Sequence, residues 1–84
     1  MAEFTAKTIQ EIAPTLGGTP TRLVYVAGTS GVNNDTLTVP DLTTVKGAFL
    51  ISTTGVAGTM TFATNVITVT NGGALNWTGL AWGT

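Results

Sequence analysis

The sequence predicts an all-β protein: a small antiparallel β-sandwich or barrel of five to six short strands with an N-terminal arm. Three observations carry that expectation. From Arg22 onward, apolar residues recur with the period of two that a strand requires rather than the 3.6 of a helix. Turn residues (Gly, Asn, Asp, Pro) break the chain at intervals of about 8–12 residues, the spacing of a small sandwich or barrel. Finally, 19 of the 84 residues are threonine, whose β-branch suits a pleated strand and whose hydroxyl wets its outer face without charge.

The N-terminal segment, residues 1–21, reads as an arm ahead of a single β-domain over 22–84. Phe4, Thr8, Ile9, Ile12 and Ala13 can form one short apolar stripe with Lys7 and Glu11 outside it, and Pro14 followed by LGGTPT would stop any helix there. Two readings stand side by side. One is a frayed tail or single helical turn; the other is an arm docking Phe4, Ile9 and Ile12 on its own sheet or on a neighbour.

In RLVYVAG, Leu23 and Tyr25 share one face and Val24 and Val26 the other, which predicts a central strand covered on both sides. GTSGVNND is a turn. DTLTVPDL alternates, with Leu37 and Val39 in and Thr36 and Thr38 out, and Pro40 ends the strand or places it at an edge. TTVKGAFLIST again has two apolar faces, Val45, Phe49 and Ile51 against Ala48 and Leu50. Met60 and Phe62 are expected inward in GTMTFATN, and Ile67 and Val69 together in NVITVT. ATN predicts one hairpin and NGG, at 71–73, the next. In ALNWTGLAW, strict alternation sets Leu75 and Trp77 against Leu80 and Trp82. A β-bulge at Thr78-Gly79 would realign all four into the core, whereas a straight strand exposes a Leu–Trp pair.

Composition bounds the function. A chain this short buries only about 60–65% of its unfolded surface, so small domains lean on disulfides, metals or assembly. With no Cys and no His, disulfides, thiolate sites and the commonest transition-metal ligand are missing, and assembly remains. Charged residues make up 8% of the chain against an ordinary value of about 25%, and net charge is −1, a poor defence against association. Lys46 is the final ionisable side chain, so 47–84 carry no acid or base. Three scattered cations cannot neutralise a row of phosphates, so neither nucleic acid nor a membrane surface is an expected partner. No run has signal-peptide or membrane-span length, which predicts synthesis in the cytoplasm.

Catalysis is poorly provisioned, and the expectation is a chain that is not an enzyme and takes no cofactor. Asp35 and Asp41 flank one short strand, and an extended backbone would hold their Cα atoms about 20 Å apart, beyond the reach of an acid–base pair. VNNDT offers Asn33, Asn34 and Asp35 to a calcium ion, but one carboxylate is thin for a cation wanting six to eight oxygens, so an Asx turn is the expected reading. GTPTR and GTSG lack the lysine-bearing pattern of a phosphate loop.

The remaining class is a protein that binds protein surfaces, chiefly copies of itself or a lattice. Interface cores are poor in charge and rich in Trp, Phe and Met. The residues assigned to such an interface are Phe4, Ile9, Ile12, Leu50, Trp77, Leu80 and Trp82. The run DTLTVPDLTTVKGAFLI, followed by NVITVTNGG and a terminal GLAWG, resembles small Thr/Gly-rich phage virion proteins of the capsid decoration or cement type. The resemblance extends in texture over 35–83, and no functional residue is carried over from it. It implies a β-rich accessory subunit, trimeric in many such proteins, docked on a capsid or other protein lattice and located in the virion. Two further classes stay open: a carbohydrate-binding or adhesion module with Trp77 or Trp82 as its sugar platform, and a filament subunit closed by strand donation.

Overall fold

The computed structural model describes residues 2–15, 20–71 and 73–84, and it is all-β, with seven strands in two antiparallel sheets packed as an open sandwich rather than a closed barrel. The strands are β1 (Thr5–Ala13), β2 (Arg22–Ser30), β3 (Asp35–Thr38), β4 (Val45–Ser52), β5 (Met60–Ala63), β6 (Val66–Val69) and β7 (Leu75–Gly83). One sheet runs β1-β2-β7-β4 and the other β3-β6-β5. The count exceeds the expected five to six because the N-terminal segment is itself a strand.

Inner residues of the two sheets interdigitate. Val24, Val26, Leu50, Trp77 and Ala81 from the four-stranded sheet meet Leu37, Ile67 and Val69 from the other, with Phe4, Val39, Leu42 and Val45 closing the ends. The Trp77 indole is 1% exposed, and its N–H donates to the buried Ser30 hydroxyl at 2.9 Å, which removes the cost of burying that donor. Leu37 and Val39 point inward and β3 ends at Thr38, two residues before Pro40, as the alternation required.

The N-terminal segment is neither a helical turn nor a frayed tail. Residues 2–4 lie alongside β3: Phe4 N–H donates to the Thr36 carbonyl (2.7 Å) and Thr36 N–H to that of Ala2 (2.8 Å). Ala6 then takes a left-handed φ of 51°, the register shifts between Thr5 and Thr8, and β1 continues as the antiparallel neighbour of β2. One strand therefore stitches both sheets. Phe4 is buried and Ile9 packs against the core, but Ile12 is exposed because the register shifts again between Glu11 and Ala13. Of the stopping signals assigned to this segment, residues 16–19 lie outside the described residues.

Four other expectations are corrected. β2 and β4 have apolar residues on both faces, but only the inner face is covered: Leu23 and Tyr25 are partly exposed, while Phe49 and Ile51 are exposed. A bulge between Val45 and Gly47 turns Val45 inward, onto the side of Leu50 and away from Phe49. Phe62 pairs with the buried Ile67 yet remains exposed, on β5 at the end of its sheet. The 71–73 segment joins β6 of one sheet to β7 of the other and is no hairpin, although Gly72 itself lies outside the described residues. The ATN turn is a hairpin, with Ala63 opposite Val66 and Thr64 at φ 53°.

Candidate interaction face

β7 settles which residues point outward. It pairs with β2 without a register shift from Arg22↔Gly83 to Ser30↔Leu75, so there is no bulge at Thr78-Gly79. Strict alternation then sends Trp77, Gly79 and Ala81 inward and Asn76, Thr78, Leu80 and Trp82 outward. Paired residues on neighbouring strands share a face, so the outer surface of the sheet follows directly from the ladders. Tyr25, Leu80 and Phe49 form one row across β2, β7 and β4; Leu23, Trp82 and Gly47 form the next; Ala27, Thr78 and Ile51 form a third. Beyond these, the Thr29 hydroxyl donates to Asn76 Oδ1 at 2.8 Å.

Gly47 has a specific part here. A Cβ at that position would collide with Cζ2, Cε2 and Nε1 of Trp82, so the indole lies over the glycine. The absence of a side chain lets a large aromatic settle low on the sheet and leaves it half-buried rather than standing into solvent. Phe49 is 52% exposed and Leu80 37%. No acidic or basic side chain belongs to these three rows.

The charges sit around the perimeter and on the other edges. Glu3 clamps the N-terminal segment to β3: Thr38 N–H donates to Oε2 (2.7 Å), the Thr38 hydroxyl to Oε1 (2.9 Å), and the Lys7 ammonium lies 3.0 Å from Oε2. Burial raises the Glu3 carboxyl, but the Thr38 N–H, the Lys7 ammonium and the Thr38 hydroxyl outweigh it and hold the group below its ordinary range. Asp35 accepts from Gly31 N–H (2.7 Å) and Val32 N–H (3.1 Å) through Oδ2 and from Ala2 N–H (3.0 Å) through Oδ1, and these three donors depress its carboxyl. Oδ2 therefore closes the Asn/Asp-rich turn that the VNNDT segment predicted, while Oδ1 holds the N-terminal segment; Asn34 takes φ 68° and Asn33 Oδ1 accepts from Gly73 N–H at 2.8 Å. Arg22 reaches Glu11 at 3.7 Å and donates to the Asp41 carbonyl at 3.1 Å.

Of the seven residues assigned to an interface, the structure brings only Leu80 and Trp82 together on this face. Phe4, Leu50 and Trp77 are core residues that no partner can touch in the folded chain, and Ile9 packs against that core. Ile12 is exposed, but on β1 at the sheet edge. Tyr25, Phe49 and Ile51 were missed. Their signal was present: two strands were apolar on both faces, and among the described residues two sheets cover only one face of each. No protein-family model, curated protein or solved structure matches this chain.

Proposed function

We propose that this chain is a non-enzymatic structural subunit of a virion, of the capsid decoration or cement type, that works by self-association and by docking on a protein lattice. The observation that carries the reading is the outer face of the four-stranded sheet, where Tyr25, Phe49, Leu80 and Trp82 lie together with no charge among them. Contiguous apolar surface of this kind marks a site of macromolecular contact, and aromatic residues with few charges are the composition of interface cores. Behind this face lies a contiguous core, and the β4 margin beside it is tied down by backbone hydrogen bonds from Gly58 to Leu50 and from Val45 to Thr64.

The test is made on particles produced by the genome that encodes the chain. Mass spectrometry should find the protein in them at a fixed copy number. Purified protein should rebind to particles stripped of it, and a Phe49→Lys/Leu80→Lys variant should not. Absence from the particles, or rebinding of the variant at wild-type affinity, would sink the proposal.

The position of Trp82 favours one second reading. An indole lying over Gly47 presents a broad apolar surface on which a sugar ring can stack. Trp77, the other candidate platform, is enclosed by the core. A glycan array in which binding is lost with Trp82→Ala would move the assignment to a carbohydrate-binding module.

A further inference from the structure

We infer that the outer face of the four-stranded sheet packs on the same face of a second copy, across a two-fold axis running along β7 with Leu80 at the axis. This rests on the reading above that the face is a docking surface, and it names the occupant.

Charge is the first argument. A face with no acid or base has nothing to pair with a charged partner and would strand that partner's charges without solvent, whereas its own copy presents the same uncharged surface. The chain's charged side chains lie on β1, on the residues before it, on loops and at strand ends, outside the three rows. Symmetry is the second. A two-fold axis along β7 sets Leu80 on Leu80 and reverses the strand order above it, so Tyr25 of each copy lies opposite Phe49 of the other. The row Tyr25–Leu80–Phe49 is thus its own complement, as an isologous contact requires.

Area is the third. The three strands that overlap across this axis, β2, β7 and β4, lie about 4.8 Å apart and are about eight residues long, which gives a shared face of about 14 by 27 Å, or about 380 Å². Burying it on both copies covers about 760 Å², the size of a weak, concentration-dependent contact rather than a permanent dimer. Sheets pack face to face at about 10 Å with their strands within about 30°, a geometry that this open face already presents. Edge pairing is a weaker route at three of the four sheet edges, the fourth being the four-residue β5. The β3 edge is occupied by residues 2–4, while β4 is met by Gly58 N–H on the Leu50 carbonyl and tied to the Thr64 carbonyl through Val45 N–H. β1 carries Lys7, Glu11 and two register shifts, devices that discourage a further strand.

The chain has no cysteine, so Leu80→Cys provides a single reporter. Sedimentation velocity from about 5 µM to 1 mM is combined with cross-linking by a short bismaleimide of Leu80→Cys and of a control, Thr36→Cys, on the opposite sheet, because sheets about 10 Å apart are too distant for a direct disulfide. The inference expects a discrete dimer, a bismaleimide cross-link through position 80 and none through 36, and a dissociation constant at least about thirtyfold weaker in Leu80→Lys. Circular dichroism should show that variant folded, since the side chain is already partly exposed, and Phe49→Lys serves as a second variant. Association abolished by Leu80→Lys, but with no cross-link through position 80, overturns the two-fold pairing and leaves the docking face standing. A wild-type chain monomeric at 1 mM, or an oligomer indifferent to both lysine substitutions, overturns the pairing and removes self-association through this face from the proposed function.

Discussion

Gly79 has no room for a side chain. A Cβ there would strike the carbonyl oxygen of Phe49, a backbone atom that cannot step aside without disturbing the β4–β7 ladder. Gly79→Ala should therefore destabilise the fold by at least about 2 kcal/mol in a urea titration, within the range of overpacked core sites. Thr64 poses the opposite case. It is a β-branched residue held at φ 53°, a conformation that Asn adopts more readily. Thr64→Asn should raise stability by about 0.5–1 kcal/mol in the same assay, and a loss would show that the Thr64 hydroxyl's bond to the Ala63 carbonyl outweighs the backbone strain. Neither effect is legible in the sequence. GTSG, TTGVAGT and TNGG look alike as strings, whereas the role of each glycine depends on which backbone approaches it.

At the scale of elements, the N-terminal strand is the most informative. Phe4 fills the space beside Gly28, where a Cβ would lie 3.0 Å from its ring, and residues 2–4 complete the hydrogen bonding of β3. Phe4→Ala should cost about 3–4 kcal/mol and speed hydrogen exchange at Thr36 and Thr38, whose N–H groups lose their partners when the segment detaches. Glu3 and Asp35, both with carboxyls below their ordinary range, hold the same corner. A depressed folded-state carboxyl contributes stability that is fully present above the unfolded value and is lost as pH falls through the folded one. The urea midpoint should thus hold steady down to about pH 5 and fall below about pH 4. Glu3→Gln with Asp35→Asn should flatten that fall, and an unchanged acid limb would remove these carboxylates as its cause.

The apolar residues of this segment were visible in the sequence as a stripe, but their period was ambiguous. Nothing in TAKTIQEIA distinguishes a helix turn from an edge strand, because its outer positions are polar in either case, and only the unpaired edge of β2 decides. The strands from β2 onward were legible because burial on one face writes a period of two into the sequence.

The molecule as a whole pairs strands that are distant in sequence. β2 lies against β7 and β3 against β6, so loop closure must precede most native contacts. Refolding should accordingly take milliseconds to seconds rather than microseconds, measured by stopped-flow dilution from guanidinium at low protein concentration. A submillisecond phase accounting for the full amplitude would contradict this topology.

By itself, the sequence determined the fold class, the lack of thiol and imidazole chemistry, and an uncharged second half. Each follows from composition or local periodicity, which need no knowledge of neighbours. Only the tertiary structure decided which half of the alternating residues is covered. In β7 the unbroken ladder with β2 put Trp77 inside and Trp82 outside, and the two-layer architecture left Tyr25, Phe49 and Leu80 open. A strand's period names its two faces, but burial depends on what is packed against each, and that is a property of the assembled sheets.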